Sequence, residues 1–368
     1  MPESVTIHIG PVKTGTTSIQ FALAAAASDL RAHGVYYEVD PAWGAGHFAA
    51  ILDLLRMGPA ADVTADARVA LGTRLRPYAG AWPALVDRVM SWRGDAIISH
   101  EFFGYLGPTS ITRVVASFPG VPVRVVAIDR PASRALPSVY QQLAKVALVP
   151  DFEHFVAQVV QPGKHRTPST SFRWLDARWL RLAWESAGAD VHVVPARPDL
   201  SPQVLDQALA AILPAGVSAP RVPTRNVGFS ALGLDVWREV ARRARPRYLA
   251  PALSAQVKLA NDHAWATDPE LGGRYRIAPA VAAALDAEGI ERAEGGLFGK
   301  AAACKPPLTE RCDGSLSAQV DQEAVIAEIT RFLRVQQAYT ATMAARARLR
   351  HRAGPDHARW TAWSESTH

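Results

Sequence analysis

The stretch G-P-V-K-T-G-T-T-S, residues 10–18, concentrates the side chains of this 368-residue chain best suited to chemistry. Gly10 and Gly15 let a backbone wrap closely around an anion, and Thr16, Thr17 and Ser18 add hydroxyl donors in the first helical turn that follows. The spacing is that of a phosphate-gripping loop, but the lysine is displaced. The Walker A pattern G-x-x-x-x-G-K-[ST] sets its lysine after the second glycine, whereas Lys13 lies between the two. An ammonium at mid-loop sits over the far side of a bound anion. There it can follow negative charge as it builds on a bridging oxygen.

Such a loop works only between a strand and a helix, whose first turn offers free N–H groups and the positive end of its dipole. "VTIHI" (5–9) is a strand-type run, and from Thr17 onward Ile19, Leu23, Ala26 and Leu30 recur at helical spacing until Gly34 stops the helix. "GVYYE", "DAIIS" (95–99), "VRVVAID" (123–129) and "DVHVV" (190–194) read as further strands. Between them lie a mostly helical region (40–92), the amphipathic "LDARWLRLAWESAG" closed by Gly188, and then "SPQVLDQALAAIL" with Ser201 as N-cap and Pro202 at the first helical position. This alternation predicts an α/β fold: a P-loop-type parallel sheet flanked by helices on both faces. "SALGLDVWREVARRAR" and "DQEAVIAEITRFLRVQQAY" predict helical C-terminal additions. One domain over 1–340, an irregular insertion at 290–320 and a basic tail at 341–368 complete the organisation.

Two more groups stand at strand ends. Arg130 follows "VVAID", and Ser138 follows Pro137 where a helix is expected to begin, so a guanidinium fork and a hydroxyl at a helix start could hold a second anion. "IISHEFFGYL" puts His100 and Glu101 just past another strand, at the rim where open parallel sheets bind ligands. Either could accept a proton, and alternation along an extended chain would aim the two in opposite directions. His47, in "GAGHFAAIL", is a candidate for an acceptor pocket. Trp43, Phe48, Phe102, Phe103, Tyr105 and Tyr140 would suit an apolar or sugar-bearing acceptor, although core packing accounts for several of them equally well.

"PVKTGTTSIQ" resembles the 5′-phosphosulfate loop of the sulfotransferases that use 3′-phosphoadenosine 5′-phosphosulfate (PAPS), above all the bacterial branch with P-x-K-T-G-T-T-S. The resemblance implies that Lys13 contacts the bridging oxygen of the phosphosulfate, while Thr14, Gly15, Thr16, Thr17 and Ser18 hold the 5′-phosphate. The family also carries Arg, seven residues, Ser after a strand, with the 3′-phosphate as ligand; here these are Arg130 and Ser138. "RVPTRNVGFSALGLDVW" resembles a third family segment, R-x-N-x-x-x-S, which implies a 3′-phosphate contact for Arg225 and an N-cap for Ser230. Family members use a His or a Glu as base and bacterial relatives often read S-S-E. That favours Glu101 and puts His100 at the second serine position. Substrate contacts then fall to His47, Phe102 and Tyr140, the donor leaves as adenosine 3′,5′-bisphosphate, and no metal is required. The likeness runs in motif order over about residues 5–240, but its specific parts are two short segments.

Two rivals remain. A P-loop kinase could use Asp129 and Thr17 around Mg²⁺ but lacks the lysine after Gly15, and a non-catalytic nucleotide-binding protein could keep the same fold. Composition narrows the partners. A net charge of +6 suits an anionic small ligand, and the basic residues are scattered, which disfavours nucleic acid. Cys304 and Cys312 match neither a zinc pattern nor a disulfide framework, and no H-E-x-x-H, C-x-x-C or acidic cluster suggests a metal. No apolar run reaches membrane-spanning length and the first strand-type run leaves no room for a signal peptide, so a cytoplasmic location is expected.

Overall fold

The β-branched run that begins at Val5 becomes the central strand of a parallel sheet. The computed structural model describes residues 1–11, 14–39, 45–58, 78–146, 150–160, 173–196, 202–214, 216–220, 228–244, 273–288, 307 and 309–312, with a few positions between 323 and 331. In it β1 (Ser4–His8) pairs with β3 (Asp95–Ser99) on one side and β4 (Val123–Asp129) on the other. β2 (Val35–Tyr37) lies outside β3 and β5 (Asp190–Pro195) outside β4, giving the order β2-β3-β1-β4-β5 with every pairing parallel.

Alternate residues of these strands enter two separate cores. Val5, Ile7, Ile98 and Val125 pack on one face with α3 (Phe48–Met57), α4 (Ala81–Ser91), α5 (Pro108–Ala116) and α8 (Ala177–Glu185). Ile97, Val126, Ile128 and Val194 pack on the other with α1 (Thr16–Ala25), α2 (Ala27–Ala32) and α9 (Pro202–Ile212). Each wholly buried Ile or Val contributes about 1.5–3 kcal/mol relative to exposure. The division of helices follows from the strand order. The chain leaves β1 for the far edge through α1 and α2 and afterwards returns in the opposite sense, and right-handed crossovers then put α3, α4, α5 and α8 on the other face. That reversal makes the C-terminal tip of β1 the switch point of the sheet, the place where such folds bind ligands.

Several elements differ from the sequence reading. The helix expected from residue 17 to Gly34 is two helices, broken at Ala26 (φ −89°, ψ 1°), whose N–H still bonds to the Ala22 carbonyl. α6 runs Ala132–Val146 with Pro137 inside it, so Ser138 is an interior helical residue and not part of a helix start. Proline here removes one intrahelical hydrogen bond without ending the helix. α7 (Phe152–Val160) follows it. Part of the expected irregular insertion is regular: β7 (Thr309–Cys312) pairs antiparallel with β6 (Arg274–Ile277), which leads into α11 (Pro279–Glu288).

Contacts divide the chain into two compact units, Met1–Gly228 with Arg274–Cys312, and Phe229–Gly273 with Asp313–His368. The sheet belongs to the first. In the second, α10 (Ala231–Ala244) is capped as the sequence suggested, the Ser230 hydroxyl accepting from the Gly233 N–H at 3.0 Å.

Candidate functional site

The loop after β1 is built by its own small residues. Gly10 (φ +43°) and Gly15 (φ +83°) both adopt left-handed conformations, and Gly15 is the N-cap of α1. A Cβ on Gly10 would lie 2.4 Å from the Thr16 hydroxyl, and one on Gly15 would lie 2.5 Å from Leu205. The buried Thr14 donates its hydroxyl to the Pro11 carbonyl at 2.6 Å and lies 3.4 Å from the Thr16 hydroxyl. Thr14 and Thr16 therefore brace the loop from inside, whereas Thr17 and Ser18 are half-buried in the first helical turn. Among the described contacts no side chain caps α1, and no acid stands in its first turn, an arrangement that favours an anion.

Beside the loop, the tip of β3 is held by polar side chains from three other elements. His8, the register partner of Ser99, places Nδ1 2.8 Å from the Ser99 hydroxyl. The Ser99 N–H lies 3.1 Å from His47 Nδ1, and the Ser99 carbonyl accepts from the His47 N–H at 3.3 Å and from Gln20 Nε2 at 3.4 Å. Gln20 Nε2 is also 3.4 Å from the Glu101 carboxylate. Every polar group of Ser99 is engaged. Burial, reinforced by nearby His100, pushes the His8 imidazole down to about 3, and burial pushes His47 down to about 4. Both stay neutral at ordinary pH.

His100 and Glu101 divide at this tip. His100 is extended (φ −165°, ψ 140°) and caps the short 3₁₀ helix Glu101–Tyr105, its Nδ1 accepting the Phe102 N–H at 3.1 Å. An Nδ1 that accepts is unprotonated, so the neutral ring carries its hydrogen on Nε2. Burial lowers the imidazole's proton affinity, with Glu101 acting in the opposite direction. The lone pair that could take a proton is thus already occupied. Glu101, half-buried in the first turn of the same 3₁₀ helix, has no such engagement with backbone N–H groups in the described contacts. The 3₁₀ helix lies directly on the loop, since a Cβ on Gly104 would come within 3.2 Å of the Gly10 carbonyl.

Arg130, half-buried, leaves β4 at the same sheet edge, and Ser138 is half-buried in α6. The N-terminus of α6 is not open to a ligand: Asp286 of α11 accepts the Ser133 hydroxyl at 2.7 Å and the Ser133 N–H at 3.2 Å. Near the 3₁₀ helix, rings form a chain from Tyr78 through Phe48, His100 and Phe102 to Tyr105 and Trp174, with neighbouring centroids 4.8–6.3 Å apart. Phe48 and Phe102 are half-buried. Tyr140 is fully buried among Phe152, Phe155 and Tyr275, and its hydroxyl donates to the Pro150 carbonyl. That places it in packing and away from any surface a substrate could reach. Phe103 is likewise core. His47 is also buried; it stands at the N-cap position of α3, and its imidazole supports Ser99 instead of capping the helix.

The sheet thus brings the glycine loop, His100 with Glu101, and Arg130 to one edge, from adjacent strands. Lys13, Arg225 and Trp43 lie outside the described residues. His8, Gln20 and Ser99 were missed by sequence reasoning. The signals were present: a histidine inside an apolar strand, and a glutamine one helical turn beyond Thr16, on the same side of α1.

No family model matches this chain, and no curated protein matches it. Among solved structures, the crystal structure of a sulfotransferase from Alicyclobacillus acidocaldarius is similar to it with a TM-score of 0.37 and 15% identity, covering 61% of this chain and 87% of that one. At that level the functional reading is left to the residues themselves.

Proposed function

We propose that the protein transfers the sulfuryl group of PAPS to a hydroxyl or amine of a small-molecule or carbohydrate-bearing acceptor. One observation carries the reading: G-P-V-K-T-G-T-T-S, with its lysine inside the loop, joins the central strand to α1 at the switch point of the sheet, beside Glu101 and Arg130.

The α1 N-terminus, Thr17 and Ser18 hold the 5′-phosphate, and Arg130, with Ser138 and Arg225, takes the 3′-phosphate. The acceptor stands before the 3₁₀ helix, against Phe48 and Phe102. Glu101 takes its proton as the new O–S or N–S bond forms. The bond from sulfur to the bridging oxygen breaks, its electron pair stays on the 5′-phosphate, and Lys13 meets that charge. His100 remains neutral and offers only an Nε2–H. The kinase alternative lacks its defining residue in the loop, because Thr16 and not a lysine follows Gly15.

Thermal unfolding with added nucleotide tests the reading. Adenosine 3′,5′-bisphosphate at 100-fold over its Kd should stabilise the fold by about 2.7 kcal/mol, visible as a shift of several degrees, and ATP with Mg²⁺ should not. Labelled PAPS with a panel of phenols, alcohols, sugars and amines then detects transfer. Lys13→Ala should abolish that transfer and leave the protein folded. Stabilisation by ATP–Mg²⁺ alone, or full turnover in Lys13→Ala, would overturn the proposal.

A further inference from the structure

Gln20 has a place in the site that sulfuryl transfer by itself does not assign. Its side chain reaches from the second turn of α1 to the tip of β3, and Nε2 lies 3.4 Å from both the Ser99 carbonyl and the Glu101 carboxylate. Both partners are acceptors, so the nitrogen, not the amide oxygen, must face them, and its two hydrogens serve one each. The amide also has a close neighbour behind it: a Cβ on Gly46 would come within 2.9–3.1 Å of its terminal atoms, so a side chain there would displace it. Gln20 itself is buried.

We infer that Gln20 is a positioning residue that ties the Glu101 carboxylate to the helix carrying the anion loop, fixing the distance between proton acceptor and donor nucleotide. The inference rests on Glu101 acting as the base. α1 begins at Thr16, immediately beyond Gly15, so Gln20 moves with the anion grip. Ser99 is held by His8 of β1 and His47 at the start of α3, so the strand end from which Glu101 projects is fixed. Of the described contacts, only the Gln20 amide joins the Glu101 side chain to α1. A base misplaced by about 1 Å can cost a hundredfold in rate, so this is where a small loss of order would be felt.

The test uses the full chain, PAPS and whichever acceptor supports transfer, in Gln20→Met, Gln20→Glu, Glu101→Gln and the double variant Gln20→Met/Glu101→Gln. Gln20→Met should lower kcat about tenfold with the KM for PAPS and the thermal shift by adenosine 3′,5′-bisphosphate unchanged. In the Glu101→Gln background the same change should cost nothing further, because residues that act as a unit are non-additive. Gln20→Glu sets a second carboxylate against Glu101, which raises the pKa of the base, so the acid limb of the pH–rate profile should move to higher pH. An equal loss from Gln20→Met in both backgrounds, or an unmoved acid limb in Gln20→Glu, would overturn the role. If Gln20→Met does not fold, the Gln20→Glu profile decides. Full activity in Glu101→Gln would instead remove the base assignment, a failure distinct from that of Gln20.

Discussion

His100 and Glu101 are chain neighbours with different capacities. The imidazole has spent its one free lone pair on the Phe102 N–H, while the carboxylate stands at the first position of the turn that this hydrogen bond creates. Glu101→Gln should therefore lower kcat by about 10²–10⁴, the usual worth of a general base. His100→Asn, whose side-chain oxygen can accept the same N–H, should keep most of the activity. The two rates measured side by side decide the matter, and a His100→Asn loss as deep as that of Glu101→Gln would reverse the assignment. The sequence showed that an acid and a histidine stood past a strand. It could not show which ring nitrogen was occupied, because that depends on how the chain turns two residues later.

At the scale of elements, the loop depends on two left-handed glycines. Gly10→Ala forces a residue with a side chain to φ +43°, costing about 1–2 kcal/mol for the backbone, and drives its Cβ to 2.4 Å from the Thr16 hydroxyl. We expect a protein that folds with a lowered melting temperature and has lost most of its affinity for adenosine 3′,5′-bisphosphate, both readable in one titration by thermal unfolding. The strands and the loop were legible because their signals are local: β-branched runs, a Gly-x-x-x-x-Gly spacing, and helical periodicity after it. α6 was not. Pro137 favours a helix start, and a reading along the chain placed one there; the helix actually begins five residues earlier, where Asp286, 153 positions away, caps it through Ser133. Long-range caps leave no local mark. The buried trio of His8, Ser99 and Gln20 escaped for the same reason, since its members meet only after β1, β3 and α1 are assembled.

The whole molecule carries its imidazoles at a cost that pH should reveal. His8 and His47 are held near 3 and 4 in the fold, against about 6.5 in an unfolded chain. Below pH 6.5 the unfolded chain binds protons that the folded one refuses, so these groups stabilise the protein above that pH and progressively less below it. Each contributes a slope of up to about 1.4 kcal/mol per pH unit across the window between its two values. Denaturant midpoints should therefore fall steeply from pH 6.5 to pH 4, and a His8→Asn/His47→Asn variant should show a visibly flatter dependence. An equally steep fall in that variant would exclude these two histidines as the cause. The contact of Ser133 with Asp286 has its own consequence at this scale. The unit that holds the sheet is closed by residues 274–312, after a 45-residue excursion into the other unit. A nascent chain on the ribosome can pair all five strands once residue 195 has emerged, yet α6 stays uncapped until residue 286 follows. Chains truncated before that residue would carry all five strands with the start of α6, next to Arg130, left without its acidic cap.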